Sequence, residues 1–198
     1  MMRARAQSGF SLIEMLVSVT VLSLAMSGLA TLLIQNSRIN KAQRMAAETQ
    51  ANARNTLSLV VQKLRSAGWD PRNVGLPVVT LDADLTDNIS EIEVFADLNE
   101  DTDTDDQDEQ ILIRHLGASN QVVWRPTSDP NDPFVILSGN ITNDANGDGT
   151  IEPMFVPDAN PPTRITVQVT ARSPAPDPTS RQFIRYTVSS DVVLRKNL

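Results

Sequence analysis

From Phe10 to Ile34 the chain is apolar for 25 residues, broken only by small hydroxyl residues, Gly28 and one charge, Glu14. At 1.5 Å per residue this stretch makes a helix of about 37 Å, enough to cross a bilayer. A short flank, residues 1–9 (MMRARAQSG), precedes it, and its Arg3 and Arg5 predict a cytoplasmic N-terminus by the positive-inside rule. An ordinary secretory signal would end in a small-residue cleavage site on the far side of the apolar run. Here Asn36, Arg38, Lys41, Gln43 and Arg44 follow in helical register instead.

Glu14 is the anomaly in the span. A carboxylate near the start of a membrane helix costs a few kcal/mol on insertion scales and asks for a partner. If the chain is cut after Gly9, the new amino group of Phe10 lies four residues from Glu14, and the amine of a neighbouring subunit could neutralise it.

Gly9-Phe10-Ser11-Leu12-Ile13-Glu14-Met15, behind a basic leader, resembles the prepilin motif of type IV pilins and of type II secretion pseudopilins. The resemblance implies cleavage between Gly9 and Phe10 by a membrane prepilin peptidase, and methylation of Phe10. It also implies that Phe10 and Glu14 serve subunit assembly. The fold it implies is α+β: a long N-terminal α-helix, membrane half plus amphipathic half, packed on an antiparallel β-sheet domain. One departure stands out. Many major pilins carry a proline midway through the span, whereas here the segment reads Ser27-Gly28-Leu29-Ala30-Thr31, so any bend falls to Gly28.

Beyond the span, Ile39, Ala42, Ala46, Thr49, Ala53, Leu57, Val60 and Leu64 recur at helical spacing. The stripe is thin until Ala53 and bulky from Leu57, which predicts weak packing over 35–53 and contact with a sheet in the last turns. Gly68 is the expected left-handed stop, with Pro71 beyond it. The expected organisation is therefore a leader over 1–9, a transmembrane and filament-core helix over 10–34, an amphipathic extension over 35–67 and a β-rich domain over 68–198. Period-two patterns predict strands at Glu91–Ala96, Gln110–Leu116 and Gln121–Arg125, and a short one at Phe134–Leu137. A closing hairpin is predicted from Thr163–Ala171 and Arg181–Leu194, joined by the proline-rich Ser173–Thr179 loop. The Ala67-Gly68-Trp69 turn and the closing Val192-Val193-Leu194-Arg195-Lys196-Asn197 are similar to PilW-type minor pilins and J-type pseudopilins.

Two loops carry concentrated oxygen ligands. Asp97–Glu109 holds eight acids in thirteen residues and no base, between two strand patterns, so it forms a hairpin tip. Asp97, Asn99, Asp101 and Asp103 sit at the alternate positions of a calcium loop, and Asp108 falls where the bidentate carboxylate belongs, but Thr102 replaces the glycine of position six. The second loop keeps that glycine. Asp144, Asn146, Asp148, Thr150 (through its carbonyl) and Glu152 occupy positions 1, 3, 5, 7 and 9, with Gly149 at six and Ile151 at eight. Position twelve is Phe155, so its bidentate ligand is missing. An Asn/Asp/Gly-rich turn accounts for the same residues without a metal. The expected role of Ca2+ is structural, in a chain with no cysteine and so no disulfides.

Several classes drop out. A net charge of −7 suits neither nucleic acid nor anionic lipid surfaces. His115, the single histidine, lies in a strand pattern with no nucleophile beside it, and no catalytic set or phosphate loop can be assembled, so the chain is read as non-enzymatic. The expected function is a minor pilin that helps initiate or cap a type IV pilus. A pseudopilin of a type II secretion system and an adhesin-like tip module are the alternatives. The expected partners are other pilins through the N-terminal helix, prepilin peptidase and the inner membrane, with the C-terminal domain in the periplasm and then at the cell surface.

Overall fold

The computed structural model describes residues 11–82 and 86–195. The predicted cleavage pair, Gly9 and Phe10, lies outside the described residues. One helix, α1, runs unbroken from Leu12 to Leu64, about 80 Å at helical rise. Among the described residues eight strands follow: β1 (Val79–Asp82), β2 (Ile89–Phe95), β3 (Gln110–Leu116), β4 (Gln121–Arg125), β5 (Val135–Gly139), β6 (Phe155–Pro157), β7 (Arg164–Arg172) and β8 (Arg185–Val193). They form two antiparallel meanders, five strands in the order β1-β2-β3-β4-β5 and three in the order β6-β7-β8. The long helix packed on antiparallel sheet is the α+β architecture expected from the sequence.

The two halves of α1 live in different surroundings. Leu12 is 81% exposed, and the large apolar residues stay exposed through Ile39. Burial begins at Met45 and continues through Thr49, Ala53, Thr56, Val60, Val61 and Leu64. Residues 45–53 therefore pack tightly, against the expectation of weak contact there. The reason is size: Thr49 and Ala53 let the backbone approach the β7–β8 layer closely, and Gln50 Nε2 donates to the Tyr186 hydroxyl at 2.9 Å. Higher up, Asn52 Nδ2 donates to the Gly139 carbonyl at 2.8 Å, tying the helix to the end of β5.

The helix stops three residues earlier than the pattern suggests. Arg65 is the C-cap in an ordinary right-handed conformation, and a further turn leads to Gly68. Gly68 does adopt the left-handed conformation, φ 71°, but its N–H leaves the helix altogether and donates to the Phe95 carbonyl at 2.8 Å. The residue thus joins the helix end to the end of β2.

The core lies between the layers. Ile92 and Val94 of β2 alternate inward with Ile111 and Ile113 of β3 and Val122 of β4. They meet Val60 and Leu64 of α1 and Ile165, Val167 and Val169 of β7. Two short strands, β1 and β6, lie outside the segments predicted from period-two patterns. β1 has only four residues just after Pro77, and β6 ends on Pro157 at the edge of its sheet. Ile141 bridges the two sheets through its pairing with Ala171.

His115 is fully buried within that core. Its Nε2 contacts the Ile141 carbonyl at 2.9 Å, while Nδ1 is buried without a hydrogen-bond partner. The ring is therefore neutral, donating from Nε2, and desolvation holds its pKa below the usual histidine value despite the opposing carbonyl. The unfolded chain, titrating near pH 6.5, binds the proton more readily. Stability is thus full above about pH 6.5 and falls as pH drops below it. Thermal melts of the full chain in detergent at pH 7.5 and pH 5 should show this loss, and His115→Gln should flatten it. Parallel slopes in the two proteins would remove His115 as the cause.

Candidate functional site

At the helix start, Ser11 caps α1 in a capping box. The Glu14 N–H donates to the Ser11 hydroxyl at 3.3 Å and the Ser11 N–H donates to Glu14 Oε2 at 3.2 Å. Glu14 thus sits at the positive end of the helix dipole, a position that favours a carboxylate. The five hydroxyls farther along, on Ser18, Thr20, Ser23, Ser27 and Thr31, donate to carbonyls one turn back. The exposed half of α1 is long and apolar enough to cross a membrane.

The two acidic loops share one backbone design. In the first, between β2 and β3, Asp97 accepts from the N–H groups of Asp101 and Thr102, and Asn99, Asp101 and Asp103 each accept from the N–H two residues on. In the second, Asp144 accepts from Gly147 and Gly149, Asn146 from Asp148, and Asp148 from Thr150. Positive φ angles recur at matching places, Glu100 (67°) and Thr102 (88°) against Gly147 (82°) and Gly149 (87°). A β-branched residue rarely adopts such an angle. Thr102 does so here with its N–H held by the fully buried Asp97.

The loops differ in what faces the carboxylates. In the second, the Arg185 guanidinium, from the first residue of β8, lies 3.7 Å from Asp144 Oδ2 and against Gly147. Glu152 accepts from Gln168 Nε2 at 2.9 Å, and Asn146 Nδ2 donates to Asp148 Oδ2. Among the described residues Asp144, Asp148 and Glu152 do not form a group of three carboxylates as close as the one in the first loop, and Phe155 at position twelve is a buried core residue. Ile151 covers the bare backbone of Gly117, fixing this loop to the β3–β4 turn.

In the first loop three carboxylates do converge. One oxygen each from Asp101, Asp103 and Glu109 lies within 4.8 Å of the others. Asp108, the residue expected at the bidentate position, instead pairs with Lys63 of α1 at 3.2 Å. The glutamate beside it takes the inward place: Glu109 is 2% exposed, and its Oε1 accepts from the N–H groups of Leu98 and Asn99. Its position could have been read from the step into β3, because residues next to one another at a strand edge point oppositely. Arg185 gave no local signal, since it arrives from β8. The carboxyl of Asp103 titrates above its usual range, chiefly through a hydrogen bond shared with the Asp105 carboxyl, whereas the Asn99 side chain holds Asp101 below it.

Trp69 and Trp124 act as packing platforms for cations, Arg195 over the first and Lys63 over the second, each at 4.4 Å. Ser90 is the registered cross-strand partner of His115, but its hydroxyl accepts from the Met154 N–H and makes no hydrogen bond to the ring.

Comparison with curated proteins and with solved structures finds no match. Residues 4–30 match the family model of the prokaryotic N-terminal methylation motif, a segment that contains Gly9, Phe10 and Glu14. That motif goes with processing by prepilin peptidase and with assembly among pilin subunits, in a family that is structural rather than catalytic. With its long helix on an antiparallel sheet domain, the chain is pilin-like.

Proposed function

We propose that the chain is a minor pilin, anchored in the inner membrane with its β-rich domain in the periplasm until it enters a filament, where it helps initiate or cap assembly. The single observation that carries this reading is the division of α1. Its apolar half is exposed along its whole length in the isolated subunit, while the half from Met45 to Leu64 is occupied by its own domain. An apolar surface of that extent needs lipid before assembly and neighbouring helices after it. Cleavage after Gly9 would leave the amine of Phe10 beside the carboxylate of Glu14, and in the filament that amine and a neighbour's Glu14 would pair in a setting of low dielectric. The basic leader, Arg3 and Arg5, keeps the N-terminus cytoplasmic until the cut. The absent mid-span proline and the PilW-like closing sequence Val192–Asn197 favour a specialised subunit over a bulk one.

The test is made in the cell. Gly9→Val should block processing and leave a longer precursor in the membrane. Glu14→Leu should still be processed, yet enter filaments about tenfold less, the factor expected for losing a charge pair worth about 1.4 kcal/mol. Normal incorporation of Glu14→Leu would refute the docking role. Deletion in a background that cannot retract pili separates the finer roles. Loss of filaments supports an initiating subunit, whereas normal filaments with lost attachment indicate a tip-binding module. A secretion defect with filaments intact indicates a pseudopilin.

A further inference from the structure

The first acidic loop contains something its composition alone does not require. Glu109 is 2% exposed, yet its Oε2 has no hydrogen-bond partner among the described residues. A buried carboxylate oxygen left unsatisfied is costly unless a proton or a cation meets it. The other oxygen of the same group is fixed by two backbone N–H donors, from Leu98 and Asn99, so the carboxylate is oriented and held. It is held toward Asp101 and Asp103, with one oxygen from each residue inside a 4.8 Å circle.

We propose that the β2–β3 loop is a Ca2+ site built on the carboxylates of Asp101, Asp103 and Glu109. Calcium binds oxygen at about 2.3–2.6 Å, so oxygens on one ion lie no more than about 5 Å apart. The observed spacing meets that limit before any ion is added. Asp97 is fully buried and spends both oxygens on the N–H groups of Asp101 and Thr102, which shapes the loop around the three ligands. Among the described residues no basic side chain is ion-paired to these three carboxylates: the Arg72 charge acts on Asp101 without a salt bridge, and Lys63 goes to Asp108, at the outer side of the same turn. The second loop is the contrasting case, because there Arg185 already supplies a positive charge to Asp144. Irregular carboxylate loops suit calcium better than magnesium, which demands near-ideal octahedral geometry and keeps its waters. This inference stands independently of the filament role, since it concerns only the hairpin tip of the domain.

The experiment is calorimetric titration of the full chain in detergent, stripped with chelator, against CaCl2 alone. One ion should bind, with a Kd at or below the millimolar range of extracellular calcium modules, and MgCl2 should bind at least about tenfold more weakly. Glu109→Gln, which keeps the shape of the side chain, should weaken binding by about tenfold or more. Asp103→Asn, at an exposed position, gives a second reading should the buried variant fail to fold. Asp129→Asn, an exposed acid in another loop, should bind as the parent does. Absence of any heat, tighter binding of Mg2+, unchanged affinity in both Glu109→Gln and Asp103→Asn, or loss with Asp148→Asn in their place would overturn the assignment.

Discussion

Leu64→Ala should lower the stability of the domain by about 3 kcal/mol, within the 2–5 kcal/mol range of buried leucine truncations. Leu64 is 1% exposed on the last turn of α1 and belongs to the same cluster as Ile92, Ile113 and Ile165. Truncation opens a cavity at the junction of helix and both sheets, where the rigid elements around it can collapse least. For a domain of this size the melting temperature should fall by about 6–12 °C. Leu59 provides the internal comparison: it sits on the same helix but is 43% exposed, so Leu59→Ala should shift stability by no more than about 0.5 kcal/mol. Denaturant unfolding of the two variants in detergent checks both values. Equal losses would mean that the helix end does not rest on the sheets as described.

The second large effect is expected at Gly68. Its φ of 71° strains any L side chain, and a methyl added there would meet the Arg195 carbonyl and Val78 Cγ1, each at 3.0 Å. Two costs add: about 1–2 kcal/mol for the left-handed conformation, and about 1 kcal/mol or more for crowding against backbone that cannot easily move. Gly68→Ala should therefore lose about 2–3 kcal/mol. Gly75 separates the two contributions, because it has a φ of 87° and a methyl added there would find nothing within 4 Å. Gly75→Ala should show the conformational cost alone. If both variants lose the same amount, the turn is not clamped between β2 and the C-terminal strand.

Where one rule decided a segment, the sequence was enough to place it. β3 and β4 coincide with the alternating runs Gln110–Leu116 and Gln121–Arg125, because each has one face on the core and flanking residues that break the period. The apolar half of α1 was equally plain from length. Segments governed by distant partners were not. β6 is too short and too proline-bound to show a period, and it exists because β7 supplies a ladder. The strength of the 45–53 contact was hidden because small residues signal close approach only when the opposing surface is known. The ligand candidates divided in the same way. Both loops had legible turn chemistry, which is local, but their carboxylates were sorted by Lys63 and Arg185, which arrive from α1 and β8. Alternation into β3 is enough to turn Glu109 inward and Asp108 outward, but no spacing rule within a loop names Lys63 or Arg185 as the partner.

The sealed hydroxyls of the exposed helix carry a consequence for alignment. With Ser18, Thr20, Ser23, Ser27 and Thr31 each turned back on their own backbone, little polar marking remains on the surface that neighbouring helices would touch. Such a rod resembles a smooth key with a single notch. Sliding it by one turn would preserve most of its apolar contact but carry Glu14 about 5.4 Å away from any amine that faced it. Axial position would then be read at one residue, and the rest of the shaft would supply adhesion without choosing the register.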